Sequence, residues 1–252
     1  RSAVSAAVIS QKSICIATRV VVMGNIVFFT GAGMSADSGL TTYRDKETGL
    51  WENVDPTALA SIDAWAKDPE PMFAWYTWRS LVSNSVEPNA GHVSIGEAGY
   101  PVITQNIDNL HERGGSAEVV HLHGSLFKWK CTICGRPYSY TLPEWSEPVE
   151  RLTPPTCPLC GNFIRPEVTW FGEALPEKAW NRAVELLQAC DTLVIVGTSG
   201  TVQPAASLPL VALENGARLY EISPQTTSLT PLVHEFIEDT AASGVPELLE
   251  RL

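Results

Sequence analysis

Two cysteine pairs constrain this chain more than anything else in it: Cys131-x2-Cys134 and Cys157-x2-Cys160. A two-residue gap lets both sulfurs of a pair reach one metal ion. The 22 residues between the pairs, 135–156, suit a hairpin or ribbon that brings the pairs together. A glycine follows each pair, Gly135 and Gly161, as a tight knuckle turn requires. The expected result is one tetrahedral Zn2+ held by four thiolates. Two disulfides are the competing reading, and they fit poorly in a chain with no clear secretory signal. A closed four-sulfur site has no open coordination position, so such a zinc is structural and the chemistry lies elsewhere.

A chain of 252 residues, 44% hydrophobic and 18% charged, can bury one large core or a core with a small satellite domain. A net charge of −11 weighs against nonspecific binding to nucleic acid or an anionic membrane, and it would draw in a cationic peptide. No apolar run approaches the roughly 18 residues of a membrane span. Cys15 and Cys190 lie in apolar stretches and read as buried thiols rather than reactive ones. The whole cysteine set fits a reducing cytoplasm. Residues 1–36 hold no Asp or Glu, and Arg1, Lys12 and Arg19 among small and hydroxyl residues faintly resemble a targeting peptide. The plainer reading is an upstream extension over 1–22, with Met23 as the start and no part in an active site.

Asn25–Thr30 (NIVFFT) is a short apolar, β-prone run ending at a glycine turn, the pattern of a buried parallel strand. Pro101–Thr104, Glu118–Leu122, Asp191–Val196 and Arg218–Ile222 predict further strands. Helices are predicted over 51–85, with boundaries at Asp55-Pro56 and Asp68-Pro69, and from Asn109–Arg113 onward. Others follow over Lys178–Ala189, over Leu208–Asn215 closed by Gly216, and over Pro246–Leu252. Strands alternating with helices mean an α/β fold with a Rossmann-like, doubly wound parallel sheet. A zinc-ribbon module (about 125–165) and a helical segment (about 46–95) interrupt it as a small inserted domain. The sheet is then built from about 23–45, 96–124 and 166–252, and the catalytic domain covers 23–252.

The run from Gly31 to Ala36 (GAGMSA) fits G-x-G-x-x-G/A directly after the first strand. Glycines there let backbone N–H groups and a helix N-terminus approach a pyrophosphate. Ser35 or Asp37 is placed to cap the helix that follows. The acidic ribose ligand of a dehydrogenase is missing, and Thr41-Thr42-Tyr43-Arg44-Asp45 follows instead. The loop therefore points to a dinucleotide but not to hydride transfer. A histidine is the natural general base at neutral pH, and His111, His121 and His123 are the candidates. His121 and His123 point alike if they share a strand, and His123 precedes Gly124 at a strand end. His92 and His234 read as surface or packing residues. Asn106 and Asp108, in a strand-to-helix turn, are either helix caps or ligand contacts. Tyr76 and Arg79 stand at i and i+3 of a helix, where a phenol beside a guanidinium can hold a carboxylate. The plainer alternative there is an aromatic stripe with a solvated arginine.

Together, GAGMSADSGLTTYR (31–44), TQNID (104–108), HGS (123–125), the cysteine pairs, WFGE (170–173) and GTS (197–199) resemble the sirtuins, NAD-dependent protein lysine deacylases. The resemblance runs from residue 25 to about 250. It implies a Rossmann-like large domain, a small zinc-plus-helix domain and an acyl-lysine channel between them. By the same resemblance, Gly31, Ala32, Gly33, Asp37, Thr42, Tyr43 and Arg44 form the NAD-binding loop. Gln105, Asn106, Ile107 and Asp108 surround the nicotinamide and its ribose. Gly197, Thr198 and Ser199 contact the adenosine ribose, Ser223 faces it, and Ala242 closes over adenine. His123 is the implied general base. Tyr43 replaces the usual Phe, and Ser223 the usual Asn. Tyr76 and Arg79 are similar to the pair in class III sirtuins, which prefer succinyl- and malonyl-lysine.

The implied chemistry consumes NAD as co-substrate. The acyl oxygen attacks C1′ of the nicotinamide ribose and nicotinamide leaves. His123 deprotonates a ribose hydroxyl, which attacks the imidate, and water completes release of lysine and O-acyl-ADP-ribose. Acetyl-lysine is expected to be accepted as well. The expected partners are acylated-lysine proteins or peptides, with no direct nucleic-acid or membrane binding. Mono-ADP-ribosyl transfer from the same NAD site is one alternative. A noncatalytic NAD-responsive zinc protein is the other, and the presence of His123, Asn106 and Asp108 weighs against it.

Overall fold

The computed structural model describes residues 25–40 and 60–252. Thr42, Tyr43, Arg44, Cys15, the expected extension over 1–22 and the Asp55-Pro56 helix boundary lie outside the described residues. The main sheet comprises β1 (Ile26–Thr30), β2 (Val102–Thr104) and β3 (Val119–His121), and later β7 (Thr192–Val196), β8 (Arg218–Ser223) and β9 (Glu235–Glu238). The intervening β4 (Gly124–Cys131), β5 (Pro137–Tyr138) and β6 (Ile164–Val168) form a separate antiparallel sheet, ordered β5-β4-β6. In the main sheet the order is β3-β2-β1-β7-β8-β9 and every pairing is parallel. The winding direction reverses between β1 and β7, so a crevice opens at their carboxyl ends.

All five residues of β1 are buried because both faces of the sheet are covered. Val27 and Phe29 point to one side, where Leu193 and Ile195 meet α6 (Glu177–Ala189) and α7 (Leu208–Glu214) through Ala183, Leu187, Leu208 and Ala212. Ile26 and Phe28 point to the other, with Val194 and Val196. That face is covered by α1 (Gly33–Ala36), α4 (Ala90–Ala98) and α8 (Ala241–Arg251) through Met34, Ile95, Val245 and Leu248. The short helix α5 (Leu110–Arg113) follows β2.

Three elements depart from the expected boundaries. The last helix begins at Ala241, five residues before Pro246. Proline forfeits one backbone bond in the second turn, and the burial of Ala241, Val245 and Leu248 against the sheet outweighs that loss. Helix α4 packs on the main core through Ile95, so the inserted helical segment ends before Ala90 rather than at 95. Strand β9 was not expected. It is a partly exposed edge whose terminal residues, Glu235 and Glu238, blunt further pairing.

The small domain joins the antiparallel sheet to α2 (Ile62–Lys67) and α3 (Pro69–Ser85). Its core is aromatic: Trp65, Phe73, Trp75, Tyr76, Trp129 and Trp170 are all buried. At the α2–α3 junction, Arg151 binds Asp68 at 2.7 Å and Glu70 at 2.9 Å, which ties down the long connection between β5 and β6. The four cysteine sulfurs of the module lie within 4.8 Å of one another. Cys131 and Cys160 are 3.4 Å apart, and Cys134 and Cys157 are 3.8 Å apart. A tetrahedral zinc with Zn–S bonds of about 2.3 Å needs sulfurs about 3.8 Å apart, so the donor set and its spacing fit Zn2+. Gly135 and Gly161 adopt φ of +68° and +72°, and their N–H groups bond to the Cys131 and Cys157 carbonyls. Asn162 aims its backbone and side-chain N–H groups at Cys160, which pulls that thiol down to about 6, toward the thiolate a metal requires.

Because metal binding and folding share one free energy in such modules, Cys157→Ser should lose its zinc equivalent and melt well below the parent, with activity lost as a consequence. Metal analysis and a melting curve check this. Full zinc content with an unchanged melting temperature would contradict it.

Candidate active site

The crevice is shaped by backbone contacts between its two walls. Gly31 N–H donates to the Val196 carbonyl at 3.0 Å, and Gly33 N–H donates to the Gly197 carbonyl at 2.8 Å. A Cβ on Gly33 would lie 2.7 Å from the Gly197 Cα, and one on Gly31 would lie 2.8 Å from the Thr198 Cβ. Gly197 itself has φ +59°. Only glycine allows the β1–α1 turn and the loop after β7 to touch in this way.

Side chains from the β2–α5 turn cross this junction. Gln105 donates from Nε2 to Thr198 Oγ1 at 2.8 Å. Asn106 donates from Nδ2 to the Gly31 carbonyl at 3.0 Å and to Ser35 Oγ at 3.1 Å. Ser35 in turn donates to Asp108 Oδ2 at 3.0 Å. Asp108 also accepts from Leu110 N–H at 3.0 Å, so helix capping is part of its role but not all of it. Burial raises the Asp108 pKa, and these two donors oppose the rise. The carbonyl of Ile107 accepts from Leu126 N–H at 2.8 Å, which joins the turn to β4.

Among the described residues, the partners of Ser35 and Asp37 are tertiary rather than the helix caps that the sequence suggested. Ser35 sits inside α1 and faces Asp108, while Asp37 accepts from Ala242 N–H at 2.9 Å in the first turn of α8. Sequence reasoning missed the Ser35 contact. It joins residues 73 positions apart, which no local pattern reveals. Ala32 opens α1. Ser199 Oγ lies 2.9 Å from Thr201 Oγ1, and Ser223 is buried at the end of β8 with its Oγ 3.5 Å from Gln225 N.

The three histidine candidates separate by their partners. His123 places Nδ1 2.9 Å from the Gln105 carbonyl. A carbonyl can only accept, so Nδ1 carries the proton and Nε2 keeps its lone pair. Burial holds the His123 pKa below its ordinary value, so the ring is neutral near pH 7 and able to take a proton. His121 has acceptors on both nitrogens, the Asn106 carbonyl at 2.9 Å and Glu112 Oε1 at 2.8 Å. Burial opposes its charge, but the Glu112 carboxylate outweighs burial and holds the pKa above the ordinary value. A ring whose two nitrogens both face acceptors has no lone pair to present to a ligand. His111 is buried with Nε2 3.0 Å from Thr30 Oγ1, and burial pushes its pKa well down. Of the three, His123 alone couples an available nitrogen to the mouth of the crevice.

His92 is a packing residue, as expected, but wholly buried. Its Nδ1 accepts from Asn89 N–H at 3.3 Å in the capping box of α4, and its ring packs edge-on against His111 at 4.7 Å.

The small domain closes the site from the other side. Thr169 N–H donates to the His123 carbonyl at 2.8 Å, and Trp170 follows it into the aromatic core. The Tyr76 ring, fully buried, lies 6.2 Å from Trp170 and 4.8 Å from Trp75. The Arg79 guanidinium lies over the Trp75 ring at 4.9 Å.

The model of the Sir2 family matches residues 31–204. The chain belongs to the Sir2 family. It is 56% identical over 235 residues to a protein of Corynebacterium efficiens named NAD-dependent protein deacylase 2, spanning 90% of this chain and 92% of that one. It is 46% identical to the NAD-dependent protein deacylase Sir2 of Mycolicibacterium smegmatis, spanning 90% of this chain and 96% of that one. Among solved structures, a Sir2 homolog in complex with NAD superposes with a TM-score of 0.82 at 40% identity, over 90% of this chain and 88% of that one. A Sir2 complex with a p53 peptide and NAD+ superposes with a TM-score of 0.74 at 28% identity, over 90% and 92%.

Two predictions come from the histidines. His123→Ala should keep the fold and NAD binding while deacylation falls by roughly 10²–10⁴. A purified variant with more than about half the parental turnover would exclude His123 as the base. The second concerns stability. His92 is held down to about 4 by burial, and His111 is depressed as well, so both are neutral when folded and the unfolded chain takes up their protons first. Stability is therefore complete above about pH 6.5 and declines as pH falls toward 4, by on the order of 3 kcal/mol from His92. His121, raised by Glu112, works in the opposite direction. Denaturant midpoints across this range should fall less steeply in His92→Asn than in the parent. Parallel slopes would contradict the assignment.

Proposed function

We propose that this Sir2-family protein, an NAD-dependent protein deacylase, removes succinyl and malonyl groups from lysine and retains activity on acetyl groups. The observation that carries the acyl preference is the pair on α3. Tyr76 and Arg79 share one helix face: Tyr76 lies beside the Trp75 and Trp170 rings, Arg79 lies over the Trp75 ring, and Trp170 directly follows Thr169, whose N–H bonds the His123 carbonyl. An aromatic wall with a guanidinium over the Trp75 ring suits an acyl chain that ends in a carboxylate. Arginine supplies two parallel donors in one plane, and tyrosine supplies a third.

In this reading NAD occupies the crevice. Gly31, Ala32 and Gly33 allow the pyrophosphate to approach the backbone, with Asp37 beside it, and Thr42, Tyr43 and Arg44 are proposed as further NAD contacts. Gln105, Asn106, Ile107 and Asp108 surround the nicotinamide ribose. Gly197, Thr198, Ser199 and Ser223 take the adenosine end, with Ala242 beyond. His123 Nε2 receives the proton of a ribose hydroxyl, and the Gln105 carbonyl holds its ring in the tautomer that can do so. The negative net charge suits peptides rich in lysine. Thiols kept as metal ligands suit a reducing compartment, and the cytoplasm is the proposed location.

Arg79→Met should lower kcat/KM for a succinyl peptide by about 10–150-fold while changing that for the matched acetyl peptide far less. Tyr76→Phe should act in the same direction more weakly. Matched peptides assayed with both variants decide the point. Equal losses on both peptides would mean that the pair supports the helix in general, and the acidic-acyl preference would fall.

A further inference from the structure

Glu221 lies in the middle of β8, 1% exposed, on the face that carries Leu219 into the core. The chemistry above gives it no role. A carboxylate in such a place is costly unless its oxygens are hydrogen-bonded. Both are. Thr230 donates its hydroxyl to Oε2 at 2.5 Å, and Thr227 donates its hydroxyl to Oε1. The two hydroxyl oxygens then accept from the turn they belong to: Thr227 Oγ1 from Leu229 N–H at 3.0 Å, and Thr230 Oγ1 from Thr227 N–H at 2.8 Å. One carboxylate thus closes residues 227–230 into a ring of hydrogen bonds. Leu229, 4% exposed, anchors the ring to the core.

Ser228 sits at the exposed tip of that ring. Its hydroxyl faces the carbonyls of Ser199 and Gly200, at 3.0 and 2.9 Å. Those two residues belong to the loop after β7, whose other end is held by the bond from Gln105 to Thr198. We propose that Glu221 is a positioning residue for NAD. It sets the 227–230 turn, and through Ser228 it holds the β7 loop in the shape that receives the adenosine ribose. The inference rests on the assignment of that loop to the nucleotide. A carboxylate is required because two hydroxyl donors need two acceptors. Glutamine offers one acceptor, so one of the two hydroxyls loses its acceptor on residue 221 and has to turn away from it.

The test uses the zinc-loaded full chain and two variants, Glu221→Gln and Ser228→Ala. Calorimetry measures ADP-ribose affinity, and steady-state assays separate KM for NAD, KM for peptide and kcat. Each variant should bind ADP-ribose about five- to tenfold more weakly, the factor expected for one lost hydrogen bond, with a matching rise in KM for NAD. At saturating NAD, kcat and the peptide KM should stay within about twofold, because neither residue is placed to touch the reacting atoms. The double variant should be little worse than the weaker single one, since both break the same chain of contacts. Parental affinity in a folded Ser228→Ala would overturn the proposal. So would a Glu221→Gln that loses stability, kcat and both KM values together while Ser228→Ala is silent. If Glu221→Gln fails to fold, Ser228→Ala decides alone. A parent that does not bind ADP-ribose would overturn the nucleotide assignment itself, and this inference with it.

Discussion

At the carboxyl end of the sheet, Gly33 and Gly197 approach so closely that neither could carry a Cβ without displacing the other. That contact is what the rest of the site depends on. It joins the two strands that flank the reversal of winding, β1 and β7, beyond their last ladder bonds. The turn after β2 then bridges the junction from the third side, through Gln105 to Thr198 and Asn106 to Gly31. Three loops from three parallel strands are thereby held as one surface. The surface is lined by glycine backbone on one side and a buried amide and carboxylate on the other, a setting suited to a polar, hydroxyl-rich ligand.

The small domain adds what the sheet cannot supply. β3 ends at His121, yet the candidate base is His123, in the link to β4. Its position is set by the Gln105 carbonyl from the large domain and by Thr169 N–H from the small one. The segment that begins at Thr169 is itself pinned by Arg165, which is nearly buried. Arg165 holds Glu173 at 2.6 and 2.9 Å and lies over the Trp170 ring. Burial opposes the Glu173 charge, but the guanidinium outweighs it and keeps the carboxyl below its ordinary range. The zinc knuckle, which belongs to the small domain, therefore matters to the crevice. The knuckle fixes β4 and β6, and these fix Arg165 and the link that carries His123.

Much of this was legible in the sequence because the relevant chemistry is local. The Cys-x2-Cys pairs with trailing glycines gave the knuckles, and the glycine run after NIVFFT gave the switch-point turn. Apolar runs bounded by glycine gave the central strands to within a residue or two. What was not legible depends on partners distant in sequence. Ser35 and Asp37 read as caps, but their partners are Asp108 and Ala242. Pro246 read as a helix start, because the burial that carries α8 across it involves the sheet. His123 stood out from His111 and His121 only by its place before Gly124 and by the resemblance, and the hydrogen-bond partners give the physical difference among the three. The EFIE of β9 has no alternation strong enough to announce a strand, because it is an edge.

The central claim is that the crevice at the carboxyl ends of β1, β2 and β7 holds the nucleotide. Hydrogen exchange read by mass spectrometry, with and without saturating NAD, tests it most directly. Binding there should slow amide exchange in peptides covering 31–40, 104–108 and 197–201 together, with little change along α6 and α7 on the far side of the sheet. Protection confined to other segments, with these three loops unchanged, would contradict the account.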